Sequence, residues 1–101
     1  MMLDLFKKNL QAEQIMKQFT YTITDPLGIH ARPAGLLAKA AKAYEDTTVT
    51  VTKDGNTVKA SQLMKLLSLC VKQGNEITVA AEGPAEDEAI AAMQKFFTEN
   101  L

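Results

Sequence analysis

The fold is decided by residues 48–60, which read TVTVTKDGNTVKA. Threonine and valine alternate over residues 48–52, as in a strand that buries only one of its faces. Asp54-Gly55 follows, and this dipeptide is a strong signal for a tight turn between two antiparallel strands. Residues 57–60 supply the returning strand. The sequence therefore predicts a β-hairpin, which requires antiparallel pairing at this point of the sheet.

The sequence on either side of the hairpin predicts two further strands and three helices. Apolar residues alternate with polar ones at 19–24 and 76–81, which is typical of half-buried strands. The three helices are a run with an apolar face from Ala34 to Tyr44, a run from Ser61 or Gln62 to about Cys70, and a run after Gly83-Pro84. The order β-α-β-β-α-β-α fits an α+β, two-layer open-faced sandwich, in which a four-stranded antiparallel sheet carries three helices on one face.

The composition bounds the class of protein. The chain has 101 residues, 47% of them apolar and 23% charged, which predicts one globular domain with a modest core. Its formal net charge of −1 argues against a nucleic-acid partner, because a general nucleic-acid binder carries a basic excess. One histidine and one cysteine are too few for a metal site, and no cofactor is expected. Without a leader-like or membrane-spanning apolar run, we expect a cytoplasmic protein with no membrane partner.

Residues 1–18 stand apart from the predicted domain, which covers 19–101. Apolar residues recur in the segment at helical spacing, so it is a candidate amphipathic helix that packs on the domain or on a second copy. A frayed tail is an equal alternative. A third alternative is that Met16 is the natural start and that the residues before it are an extension. We expect a dispensable segment, helical or disordered.

Residues 28–34, GIHARPA, contain the single histidine of the chain. A turn precedes them and a helix follows, so His30 is expected at a helix N-terminus, where free N–H groups and the helix dipole attract anions. Arg32 adds a planar guanidinium suited to phosphate oxygens, and Pro33 is well tolerated in a first helical turn. Neutral imidazole is available as a nucleophile near neutral pH. The stretch favours a histidine that accepts and releases a phosphoryl group, with a solvated surface histidine or a helix cap as the alternative.

The second helix carries more apolar residues than one buried stripe needs. We expect part of its apolar surface to face solvent or a partner, with a fully buried short helix as the alternative. At its start, Ser61 is a better N-cap than Gln62. The apolar residues of the run are Leu63, Met64, Leu66, Leu67, Leu69 and Cys70.

Residues 27–34, LGIHARPA, resemble the active-site signature of the HPr family, the histidine-containing phosphocarriers of the bacterial sugar phosphotransferase system. The resemblance extends over about residues 16–101, with the same order of elements. Residues 63–69, LMKLLSL, resemble the second-helix segment of the family. Residues 72–77 and 81–83 also match in position and type.

This resemblance implies a function and a set of site residues. His30 would take a phosphoryl group on Nδ1 from phosphorylated Enzyme I, itself charged by phosphoenolpyruvate, and would pass it to a IIA protein or domain of a sugar transporter. Arg32 would stabilise the phosphoryl charge, and the amides of Ala31 and Arg32 would cradle the phosphate. The protein would be a monomeric carrier and not an enzyme. The exposed apolar surface on which both partners dock would consist of Leu63, Met64 and Leu67.

The chain departs from the family pattern at several points. The serine that a regulatory kinase phosphorylates in many Gram-positive members is replaced by Gln62, so Ser61, one position earlier, is the remaining candidate for such regulation. Cys70 stands where a glycine is common, and the N-terminal extension is absent from the usual pattern. Gly83-Pro84 followed by acidic residues resembles the nitrogen-related branch of the family.

Two alternatives to a phosphocarrier stay open. One is a regulatory module of the nitrogen-related or catabolite-repression type, which acts by binding partners such as an HPr kinase or a transcriptional regulator and in which His30 is incidental. The other is a homo-oligomer built through residues 1–18. The presence of both His30 and Arg32 favours the phosphocarrier.

Overall fold

The computed structural model describes residues 16–101 and shows, within that range, a four-stranded sheet and three helices. Across the sheet the strand order is β1-β4-β2-β3, and neighbouring strands are antiparallel. The predicted α+β open-faced sandwich is confirmed. No helix of this part of the chain is long and apolar enough to cross a membrane. The elements are β1 (Met16–Thr22), α1 (Ala31–Lys42), β2 (Thr48–Lys53), β3 (Asn56–Lys59), α2 (Leu63–Ser68), β4 (Glu76–Glu82) and α3 (Glu86–Asn100).

The predicted hairpin joins β2 to β3. Lys53 pairs with Asn56, so Asp54 and Gly55 form a two-residue connection. Both residues have positive φ, 50° and 83°. This combination is what a type I′ turn requires, and it follows the right-handed twist of the flanking strands. The structural prediction made from Asp-Gly is confirmed.

Strand β1 ends at Thr22, two residues earlier than the end predicted at residue 24. The reason is that the N–H of Thr24 leaves the β1–β4 register, in which the N–H of Ile23 still donates to Asn75. The N–H of Ile23 donates to the oxygen of Asn75 at 3.0 Å, and that of Thr24 donates to the oxygen of Leu101 at 2.6 Å. These bonds turn the chain towards the loop that carries the histidine.

Strand β1 also begins earlier than predicted. Met16 lies opposite Glu82, so the last three residues of the segment 1–18 belong to the sheet. Residues 1–15 lie outside the described residues. The division of the chain into 1–18 and 19–101 stays a prediction.

One face of the sheet and the apolar faces of the helices form the core. Phe97 of α3 is fully buried there, and its ring meets those of Phe19, Tyr21 and Phe96 edge-on, with centroids 5.6–6.1 Å apart. Such aromatic pairs stabilise beyond the area that they bury. The buried side chains of strands and helices include Ala34, Leu37, Ala38, Ala41, Val49, Val51, Ile77, Val79, Ala81, Ala89 and Met93.

Helix α2 is shorter than predicted, and its N-cap is Gln62. The first helical hydrogen bond runs from the N–H of Leu66 to the carbonyl of Gln62, at 3.0 Å. Just before it, the chain is still turning, because the N–H of Gln62 donates to the carbonyl of Lys59 at 3.1 Å. Ser61 therefore lies in the turn and outside the helix. The prediction that Ser61 caps this helix is wrong.

The C-terminal end of α2 is held by the hairpin. The ammonium of Lys53 donates to the carbonyls of Leu69 and Cys70, at 3.1 and 3.0 Å. A cation at this end opposes the negative pole of the helix dipole. Cys70 has a φ of 53°, the left-handed conformation that usually takes a glycine after a helix. The chain therefore places a cysteine where the backbone favours glycine.

Helix α3 starts beside Thr47, the residue that precedes strand β2. Its N-cap is Ala85, whose N–H donates to the hydroxyl of buried Thr47 at 2.9 Å. Gly83 precedes it with a φ of 143°, and a Cβ on Gly83 would lie 2.7 Å from the Cα of Thr47. The acidic residues that follow lie in the first turn of the helix, where the dipole favours negative charge.

Candidate functional site

The loop between β1 and α1 carries the predicted site and is tied down at both ends. The N–H of Gly28 donates to the carbonyl of Asp25 at 2.9 Å, and the N–H of Leu27 donates to Oδ1 of the same aspartate at 2.8 Å. The N–H groups of Thr24 and Asp25 both donate to the oxygen of Leu101, at 2.6 and 2.9 Å. The loop is therefore anchored in its own turn and on the residue that follows α3.

Gly28 allows this loop to pass close to the segment before β4. Its φ is 66°, and a Cβ at this position would run into the carbonyl of Val71 and would lie 2.8 Å from the Cα of Lys72. The next residue, Ile29, donates its N–H to that same Val71 carbonyl at 3.1 Å, and its side chain is buried. Only a residue without a side chain fits here, because both the conformation and the space exclude a Cβ. The position of His30, two residues later, depends on this contact.

His30 is the N-cap residue of α1. Its backbone is extended, with φ −100° and ψ −177°, and its carbonyl accepts the N–H of Ala34 at 3.0 Å. The imidazole is partly exposed and makes no capping hydrogen bond, so the side chain is not a helix cap. Ala31 and Arg32 open the helix, and their N–H groups have no carbonyl partner within it. A ring and two N–H donors thus come together at the positive end of the helix dipole.

Arg32 and His30 line one shallow depression of about 210 Å³. Arg32 is exposed, and Pro33 is buried in the first helical turn, as predicted. An imidazole and a guanidinium at one small concave surface can bind an anion and can exchange a phosphoryl group. The complete lining is Asp25, His30, Arg32, Pro33, Leu36 and Asn100.

Three of these lining residues were not among the predicted site residues. Asp25 lies in the turn that the sequence predicts before residues 28–34. Leu36 could have been found from the helical period, because it lies off the buried face of α1 and its side chain is 48% exposed. Asn100 reaches the site only because α3 ends there, and no local pattern indicates that contact.

The predicted docking residues of α2 differ in exposure. Met64 is 74% exposed and Leu63 is 38% exposed, whereas Leu67 is half-buried and packs against the core. Leu66 is fully buried. The apolar surplus of this helix is therefore divided between core and surface, and α2 lies in contact with α1. Leu27, 70% exposed in the loop before His30, is a further apolar side chain on the surface that the sequence analysis missed.

Charge is distributed unevenly over the helices. Residues 31–42 and 63–68 contain basic side chains and no acidic ones, whereas α3 is mainly acidic. The basic residues of the first two helices are Arg32, Lys39, Lys42 and Lys65. Helix α1, which lines the depression, and α2, which contacts α1, therefore carry only basic charged residues.

Comparison with known proteins agrees with this geometry. The family model described as "PTS HPr component phosphorylation site" matches residues 17–99. The phosphocarrier protein HPr of Mycoplasma genitalium is 36% identical over 85 residues, which cover 84% of this chain and 97% of the relative. A solved histidine-containing phosphocarrier protein of Mycoplasma superposes with a TM-score of 0.79 at 32% identity, over 82% of this chain and 93% of that chain. HPr from Bacillus anthracis superposes with a TM-score of 0.75 at 32% identity, over 81% and 96%.

The sheet order, the three helices and the histidine at a helix start, together with these matches, define a phosphocarrier of the bacterial phosphotransferase system. The chain belongs to the HPr family. The resemblance carried by residues 27–34 is confirmed.

Proposed function

We propose that His30 carries the phosphoryl group, taking it from phosphorylated Enzyme I and passing it to a IIA protein or domain of a sugar transporter. The observation that carries this proposal is the position and exposure of the His30 imidazole. It lies at the N-cap of α1, partly exposed and not engaged in capping, in the same depression as Arg32. The membership of the chain in the HPr family supports the same chemistry.

In the transfer step, the electron pair of His30 Nδ1 forms a bond to phosphorus. The bond between phosphorus and the donor atom of Enzyme I breaks, and its electron pair returns to that atom. Negative charge spreads over the three phosphoryl oxygens as they pass between the two proteins. The guanidinium of Arg32 and the N–H groups of Ala31 and Arg32 stabilise this charge. The same step on IIA regenerates free His30, so the protein acts as a carrier and not as an enzyme.

Both partners dock, in this proposal, on the apolar side chains of α2 and on the basic residues beside them. Leu63 and Met64 offer exposed apolar surface. Leu67, one helical turn later, is half-buried and packs against the core. Because α1 and α2 carry only positive charges, a fitting partner surface combines an apolar cleft with carboxylates.

The proposal includes Ser61 as the candidate site of regulatory phosphorylation. Ser61 is half-buried and lies outside α2, one residue before the N-cap Gln62. A regulatory kinase would therefore have to act on a residue of the turn. A monomeric state and a cytoplasmic location also remain proposals.

The test is phosphoenolpyruvate-dependent labelling with a cognate Enzyme I. The chain should gain about 80 Da in an acid-labile, base-stable form, and His30→Ala should not. The variant should unfold at the same temperature as the parent, since the ring makes no capping bond. A wild-type chain that stays unlabelled, or a label that persists in His30→Ala, would exclude the proposal.

Docking is tested separately with Met64→Ser, which should raise the KM of Enzyme I for the chain about tenfold and leave the thermal midpoint unchanged. Met64→Leu is the matched control and should retain the parental KM. An unchanged KM in Met64→Ser would remove α2 from the docking surface.

A further inference from the structure

Asp25 is the acidic residue that lines the phosphoryl depression. Its position is fixed from several sides: its N–H donates to Leu101, its carbonyl accepts from Gly28, and its Oδ1 accepts from Leu27. The residue is half-buried. The backbone of Asp25 is therefore held at the edge of the depression, and its carboxylate is oriented by the hydrogen bond from Leu27.

Asp25 shares the lining of this depression with His30 and Arg32. Among residues 16–101, no carboxylate lies within ion-pairing distance of Arg32. The ion pair of this part of the chain joins Lys17 to Asp87, at 3.6 Å. Asp25 and Arg32 therefore form no direct ion pair in this depression. A phosphoryl group on His30 would bring up to two further negative charges to the same small volume.

The turn itself does not require a charge at this position. An Asx turn needs only a side-chain oxygen that accepts the N–H two residues later, and asparagine supplies that oxygen equally well. The charge is therefore a property that the local fold does not explain.

We propose that the Asp25 carboxylate destabilises the phosphorylated state and so makes the phosphoryl group easier to pass on. This inference rests on the proposed role of His30. Arg32 and the helix N–H groups attract the phosphoryl oxygens, and Asp25 opposes them with a like charge. Asp25 forms no bond to the phosphoryl group, so it is a positioning residue of the turn that also tunes the stability of the phosphorylated histidine.

The experiment measures the equilibrium between phosphoenolpyruvate and the chain in the presence of Enzyme I, at defined pyruvate concentrations. Asp25→Asn removes the charge and keeps the turn acceptor. Its equilibrium constant for phosphorylation should exceed the parental value by about fivefold to twentyfold at low salt, as expected for two like charges that interact near a protein surface. Hydrolysis of the isolated phosphorylated variant should be slower.

A charge effect can be separated from a structural one by salt. The ratio of the two equilibrium constants should fall towards one at about 1 M salt, where the screening length is about 3 Å. Asp54→Asn is the matched control, because Asp54 lies in the hairpin turn and does not line the depression. It should leave the equilibrium unchanged. Asp25→Ser, which also keeps a turn acceptor, replaces Asp25→Asn if that variant unfolds.

Equal constants for the parent and Asp25→Asn at low salt would overturn the inference while leaving the phosphocarrier intact. A shift that does not respond to salt would overturn it as well, because the turn and not the charge would then be responsible. Absence of label on the parent chain would overturn the proposed function and the inference together.

Discussion

Replacing Gly28 by alanine should damage both the stability of the domain and its phosphoryl site. The fold would hold the alanine at a φ of 66°, a left-handed conformation that costs about 1–2 kcal/mol for a residue with a Cβ. It would also run into the carbonyl of Val71, and forced repacking of this kind costs about 1–3 kcal/mol. Moving that carbonyl weakens its hydrogen bond from Ile29, worth about 1 kcal/mol. The total is roughly 3–6 kcal/mol, a large part of the stability of a small domain.

The assay is denaturant unfolding followed by circular dichroism, with two other glycines as controls. Gly55 also has positive φ, 83°, but nothing lies within 4 Å of a Cβ placed there, so Gly55→Ala measures the conformational cost alone, about 1–2 kcal/mol. Gly35 lies in α1 with open space around it, and Gly35→Ala should stabilise the helix by about 0.5–1 kcal/mol. Gly28→Ala should also lower the rate of phosphorylation measured well below its unfolding midpoint.

The comparison between Gly28→Ala and Gly55→Ala decides whether the contact with Val71 constrains the histidine loop. If Gly28→Ala costs no more than Gly55→Ala, the close approach to Val71 does not constrain the loop. If Gly28→Ala is strongly destabilised but phosphorylated at the parental rate, the contact holds the domain together without positioning His30.

Three further substitutions test separate parts of the fold. Cys70→Gly should stabilise the chain by about 1 kcal/mol in urea unfolding, because the φ of 53° suits glycine; a loss of stability would contradict this. Thr47→Val should lose about 1–3 kcal/mol in the same assay, because the N–H of Ala85 would lose its acceptor, while Thr47→Ser should be closer to the parent. Phe97→Ala should lose about 3–5 kcal/mol by leaving a cavity among three aromatic rings, and a loss below about 1 kcal/mol would show that the core collapses around it.

Local chemistry explains why so much of the fold and site was predictable. Asp54-Gly55 specifies the hairpin by its turn conformation alone, and strand alternation then decides which residues are buried. The start of α1 was predictable for the same reason, since Gly28 permits the left-handed turn before His30 and Pro33 fixes φ in the first helical turn after it.

Contacts between distant segments explain what the sequence did not reveal. Ser61 has the better intrinsic capping chemistry, yet the N–H of Ala60 is already tied to Val49 of the sheet, and the turn that follows delays the helix to Leu63. Likewise, Asn100 enters the depression because α3 ends against the histidine loop. Neither outcome is encoded in a local pattern, because each depends on where the rest of the chain packs.

The proposed carrier must present one site to two different partners in turn, and the structure divides this task between a fixed part and an adaptable part. The loop around His30 is held by backbone bonds to Val71 and Leu101, so the backbone that carries the imidazole is fixed before any partner arrives. The proposed docking residues lie instead on a helix of only six residues, and the most exposed of them is Met64. Methionine is unbranched and flexible, and it adapts to surfaces of different shape. A rigid nucleophile beside a pliable apolar contact allows both partners to reach the same nitrogen without matching each other in shape.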